Sequence, residues 1–136
     1  MGRSPALILL DTYTWLWMIG NPSQLGEAAK RRVEKQALKG GLGISDISLL
    51  EIAMLSKKAR IEISGSFLSW LESAVTRSRI VIHPMTPEIV FESTLFPDRL
   101  ADPADRVIAA TAKSLGVPLV TEDREIRTLT GIEMIW

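Results

Sequence analysis

The sequence contains no cysteine, only one histidine and no surplus of charge of either sign, and each absence narrows what it can be. Without cysteine there is neither a disulfide framework nor a thiolate metal site. That composition suits a reducing cytoplasm, which is the expected location. Sixteen basic and sixteen acidic residues give a net charge of zero, whereas a nucleic-acid binder usually carries an excess of positive charge. Contact with a polyanion would have to come from local patches, Lys30, Arg31, Arg32 and Lys35 or Lys57, Lys58 and Arg60, whose plainer reading is solvated helix faces. The apolar start, Ala6 to Leu10, stops at Asp11 and is too short for a signal peptide or a membrane span. A soluble protein without membrane association is therefore expected. There is no internal repeat, low-complexity tract or linker, so the 136 residues read as one domain, 1–136. A chain of this size buries roughly 68% of its unfolded surface, enough for a core without staples. The apolar fraction of 46% and charged fraction of 24% are ordinary for a globular protein.

What is present is an alternation of short apolar runs and amphipathic stretches. Residues 7–10 (LILL) read as a strand buried on both faces, ending at Asp11 and Thr12. Leu25, Ala29, Val33 and Ala37 fall four apart and predict a helix from Ser23 to about Lys39, stopped by Gly40-Gly41. A strand over 42–44 leads into a helix from Asp46 to about Lys57. A further helix runs from about Ser66 to Arg77 on a stripe of Phe67, Trp70, Leu71 and Ala74, before a strand over 80–82. Thr86-Pro87 and Asp102-Pro103 each combine a capping side chain with proline at the first helical position, and the second helix reaches Leu115 before Gly116. Val117 to Thr121 and Ile132 to Ile135 complete five strands. Strands alternating with helices imply the α/β class, a parallel sheet covered on both faces.

In such sheets sites form beyond the carboxyl ends of the strands. Asp11 follows the first strand and Asp123 follows the fourth, so central neighbouring strands would send both into one crevice. Each also suits a helix N-cap, as does Asp102, while Asp105 in a first helical turn is favoured by the helix dipole. Glu51 lies mid-helix, with Ile47, Met54 and Leu55 at helical spacing, which places it on the apolar stripe. Asp105 repeats the pattern with Ile108, Ala109 and Ala112. A buried carboxylate is normally paired or binds a metal, and a salt bridge is the structural alternative for Glu51. Clustered carboxylates raise one another's pKa, a conflict that a divalent cation removes. An all-oxygen donor set points to Mg²⁺ or Mn²⁺ rather than zinc. His83, following a strand without an obvious partner, reads as structural.

The segments LILLDTYTWLW (7–17), ISDISLLEIAMLSKKARI (44–61) and DPADRVIAATAKSLGVPLVTEDREI (102–126) resemble the signature segments of the PIN-domain family, and more narrowly of VapC-type toxins from toxin–antitoxin pairs. The resemblance spans nearly the whole chain. It implies a three-layer α/β/α sandwich around a five-stranded parallel sheet of order 3-2-1-4-5. It further implies a Mg²⁺- or Mn²⁺-dependent endoribonuclease, a homodimer silenced by a small cognate antitoxin. The family's four acids fall on Asp11, Glu51, Asp105 and Asp123, the last eighteen residues after the third. Thr12 and Thr121 match accessory hydroxyl positions, and Asp102 matches an acid common in the subgroup, either an accessory ligand or a cap. Tyr13 stands where relatives often have histidine and Leu50 where they often have tryptophan, departures that touch substrate contacts rather than metal ligands. Trp15, Trp17 and Trp70 are candidate partner surface, or core by their helical spacing.

On this reading RNA phosphodiesters are hydrolysed by metal-activated water, with Glu51 or another carboxylate orienting the water or accepting its proton. Two other functions compete. An aspartate-nucleophile phosphotransferase would use Asp11, but such enzymes usually carry a second aspartate where Tyr13 stands. A catalytically inert PIN-like binding module would typically have lost one or more of the acids, and this chain keeps all four.

Overall fold

The computed structural model describes residues 7–136; of the apolar start, Ala6 lies outside that range. Five parallel strands form one sheet: β1 (Ile8–Leu10), β2 (Leu42–Ser45), β3 (Val81–His83), β4 (Leu119–Val120) and β5 (Met134–Ile135), in the order β3-β2-β1-β4-β5. The order matches the expectation, and β1 lies in the middle, pairing with β2 on one side and β4 on the other. Strand order reverses between those two pairings, which opens a crevice at the carboxyl ends of β1 and β4.

Alternation along the strands divides the core in two. Ile8 and Leu10 face one cluster with Trp15, Ala29, Val33, Ile52 and Ala74. Leu9 faces the other, with Ile89, Phe96, Val107, Ile108 and Leu119. The first cluster is covered by α1 (Thr12–Gly20), α2 (Glu27–Leu38), α3 (Ile47–Lys57) and α4 (Phe67–Ser78); the second by α5 (Pro87–Ser93), α6 (Pro103–Leu115) and α7 (Arg124–Arg127). This is the three-layer α/β/α sandwich. Among the described residues no helix is long and apolar enough to cross a membrane.

Several boundaries differ from the sequence-based expectation. The helix expected from Ser23 begins at Glu27, because Pro22–Gln24 form a separate 3₁₀ turn. Its buried face is Ala29, Val33 and Gln36, while Ala37 is exposed. Steps of four residues drift by about 40° each on a helix of 3.6 residues per turn, whereas Gln36, seven after Ala29, returns to within about 20°. α3 begins at Ile47, because the Asp46 carboxylate does not cap it but accepts from the Met85 N–H at 3.1 Å. β3 lies one residue later than expected, and β4 and β5 are shorter. α6 matches at both ends: Asp102 caps it and Gly116, at φ +67°, closes it in the left-handed conformation glycine favours. Trp15 is not partner surface, since it is fully buried and its indole N–H donates to Ser78 Oγ at 3.1 Å.

Candidate metal centre

Beyond the ends of β1 and β4 lies a crevice of about 390 Å³, lined by Asp11, Thr12, Tyr13, Trp17, Glu51, Asp102, Asp105, Glu122 and Asp123. Six of these nine are acidic and none is basic. The four acids that the sequence singled out thus share one cavity with Asp102 and with Glu122, which the sequence reading passed over.

β1 and β4 supply one wall. Asp11 ends β1 and caps α1, one carboxylate oxygen accepting from the Thr14 N–H at 2.8 Å. Its other oxygen accepts from the Thr121 hydroxyl, and the Thr121 oxygen in turn accepts from the Asp123 N–H at 3.0 Å. Thr121 therefore ties the two strand-end acids together. Asp123 caps α7 by accepting from Ile126 N–H at 3.0 Å, and it is exposed. The capping explanations are thus realised, within the crevice rather than instead of it. Burial raises the Asp11 pKa, offset in part by its hydrogen bonds and reinforced by the Asp123 charge.

α3 and α6 supply the other wall. Glu51, Asp102 and Asp105 each offer a carboxylate oxygen, all within 4.8 Å of one another. Asp102 both caps α6, accepting from Ala104 N–H at 2.8 Å and Asp105 N–H at 3.2 Å, and belongs to this trio. Glu51 accepts from the Thr12 hydroxyl, whose oxygen also lies 2.8 Å from Ser48 Oγ. Its position differs from expectation in one respect. α3 buries Ser48 and Ile52, while Met54 is 45% exposed, so Glu51 lies half-buried at the margin of the core rather than along its centre. Ile47, Leu50 and Met54 instead line an open groove beside Pro103. Ser48 was not anticipated, although its spacing of three from Glu51 puts both on one face of α3.

Burial and the neighbouring charges of Asp102, Asp123, Glu51 and Asp11 push the Asp105 pKa up to about 7. Burial likewise raises Glu51, with Asp102 and Asp11 adding to it against the Thr12 hydrogen bond. Among the described residues, none of the ion pairs involves a crevice acid. The salt-bridge alternative for Glu51 is absent from them. Crowded, half-dry carboxylates with no ion-pair partner among the described residues form a donor set suited to a hard divalent cation. The loop before α6 is held by Arg106, which donates to the carbonyls of Ser93, Pro97 and Leu100 at 2.8, 2.8 and 2.5 Å and so fixes the approach to Asp102 and Asp105. His83 lies outside the crevice, its ring against Gly43, with a pKa lowered by burial.

Residues 8–132 match the PIN domain family. The ribonuclease VapC22 of Mycobacterium tuberculosis is 34% identical over 122 residues, covering 89% of this chain and 90% of its own. Among solved structures, a chain of VapBC2 from Rickettsia felis, bound to a DNA fragment from their promoter, superposes with a TM-score of 0.67 at 19% identity, covering 94% of this chain and 96% of its own. A chain of DNA-bound VapBC from Salmonella typhimurium gives 0.67 at 24% identity, covering 96% and 97%. At those identities the structural likeness establishes the fold.

Proposed function

The chain belongs to the PIN-domain family, and on that premise we propose that its acidic crevice is the active centre of a divalent-metal-dependent endoribonuclease, the toxin of a toxin–antitoxin pair. The observation that carries the reading is the convergence of six carboxylates on one cavity, none of them in an ion pair among the described residues. The ribonuclease relative at 34% identity supports RNA as the substrate. The VapBC neighbours support a small antitoxin partner, and an acidic crevice is electrostatically matched to a basic side chain from it.

Glu51, Asp102 and Asp105 on one wall, with Asp11 and Asp123 on the other, would hold the cation, Mg²⁺ or Mn²⁺. Bound there, it would supply Lewis acidity toward the phosphoryl group and a water acidic enough to attack at neutral pH. The chain's own groups do the positioning. Thr14 N–H and the Thr121 hydroxyl orient Asp11, and the same hydroxyl oxygen anchors the backbone at Asp123. Thr12 and Ser48 set Glu51, the candidate to accept the attacking water's proton.

The test is cleavage-site mapping on total cellular RNA after brief expression of the wild type beside Asp11→Asn. Discrete cleavage by the wild type, reduced at least about a hundredfold in the variant, is expected, since losing several kcal/mol of electrostatic stabilisation costs that much rate. Equal cleavage by the purified variant would assign the chemistry elsewhere. An inert module would instead neither bind Mn²⁺ nor be stabilised by it.

A further inference from the structure

Six carboxylates repel a polyanionic substrate and a bound cation offsets only part of that charge, so further affinity has to come from outside the crevice. With net charge zero, that attraction has to be local. The outer face of α2 and the end of β5 enclose a groove lined by Arg31, Arg32, Lys35, Arg127, Glu133 and Trp136, among others. Four cations face one carboxylate there. Glu133 pairs with Arg32 at 3.6 Å, with both side chains well exposed, and such a pair is weak and screened by salt.

The groove is joined to the crevice by aromatic rings. The Trp136 ring lies 5.8 Å from that of Trp17, which lies 5.7 Å from that of Tyr13. Trp136 lines the basic groove, Trp17 and Tyr13 line the crevice, and Tyr13 is 45% exposed. The indole is held closely. A Cβ added at Gly26 would come within 2.7 Å of Trp136, so only glycine at the start of α2 admits this pose. Tyr13 is the exposed ring of the three, while Trp17 and Trp136 are half-buried and present only part of their surface. Successive cations beside accessible ring surface are what single-stranded nucleic acid uses, its phosphates on the cations and its bases on the rings.

We propose that the α2–β5 groove is the docking track for the backbone of a single-stranded RNA, which the Trp136–Trp17–Tyr13 rings lead into the acidic crevice. This rests on the ribonuclease reading and adds to it the surface along which the substrate approaches and the direction from which it enters.

The test is fluorescence anisotropy of a short labelled single-stranded RNA against the Asp11→Asn protein, with and without Arg31→Ala/Lys35→Ala/Arg127→Ala, across a salt series. Removing three phosphate contacts should weaken binding at least about tenfold at low salt. The salt slope should fall by about 2, at roughly 0.7 for each contact to a single strand. Tyr13→Ala should weaken binding about fivefold or more with the slope unchanged, because it removes a stacking surface and no charge. The Mn²⁺-induced thermal shift of the triple variant should equal that of the wild type, which separates loss of docking from loss of fold or metal. Unchanged affinity and slope in the triple variant, or equal affinity for a duplex, would overturn the track while wild-type cleavage left the ribonuclease standing. A wild type that neither binds nor cuts RNA would overturn both.

Discussion

The two walls of the crevice hold their acids by different means. On the strand wall, Asp11 is buried and both its oxygens accept hydrogen bonds, from Thr14 and Thr121. On the helix wall, Glu51, Asp102 and Asp105 crowd within 4.8 Å, and Asp105 is pushed up to about 7. Hydrogen bonds from the chain itself order the first wall, whereas the second carries a charge conflict that the described side chains leave unresolved. A rigid floor and an unstable rim suit a site completed by a cation: one wall fixes geometry in advance and the other supplies the electrostatic demand.

The largest effect expected from breaking this difference is at the crowded wall. Asp105→Asn should lower RNA cleavage at least about a hundredfold while raising the melting temperature of the metal-free protein, because it removes a repelled charge. A metal-free protein that melts lower with this change would show that the rim is not strained. On the ordered wall, Thr121→Val should reduce metal affinity or cleavage about 10- to 100-fold, the usual cost of losing a group that orients a ligand. Titration calorimetry with Mn²⁺ measures it, and wild-type affinity would deny Thr121 that role.

The contrast also has a pH signature. Asp105, Glu51 and Asp11 all have folded pKa values raised above their ordinary ones. The folded state therefore holds more protons than the unfolded state between the ordinary value near 3.8 and about 7 for Asp105. Stability from these groups accordingly falls as pH rises through that window. Melting of the metal-free protein should drop from pH 5 to pH 7.5, and saturating Mn²⁺ should flatten the slope. A melting temperature that rises with pH in the absence of metal would contradict the crowding. The smallest effect is expected at Ser48→Ala, which leaves Thr12 bonded to Glu51. A change of only a few-fold in cleavage rate is anticipated, and a loss as great as that of Thr121→Val would make Ser48 an equal partner.

Much of this is legible in the sequence. The strand LILL and the Asp102-Pro103 to Gly116 helix follow from local chemistry: an apolar run buried on both faces, a capping carboxylate, a proline and a glycine. The start of α2 differs because Leu25 extends the four-residue apolar spacing back beyond Glu27, and that spacing carries no trace of the 3₁₀ turn over Pro22–Gln24. Asp11, Glu51, Asp105 and Asp123 stood out as acids at strand ends or on apolar helix faces. Ser48 and Glu122 did not, since a serine or a glutamate beside other polar residues carries no distinguishing local pattern.

What the sequence determined by itself is the periodic part: which segments are strands and helices, and which acids lie where solvent alone would not explain them. Tertiary structure decided what meets across long separations. Thr121 reaches Asp11 over 110 residues, and Thr12 reaches Glu51 over 39. Trp136 meets Trp17 to join a basic groove to an acidic one. Periodicity specifies the face a residue occupies, but the partner on that face depends on the order in which the strands pair, and that order follows from packing the whole chain.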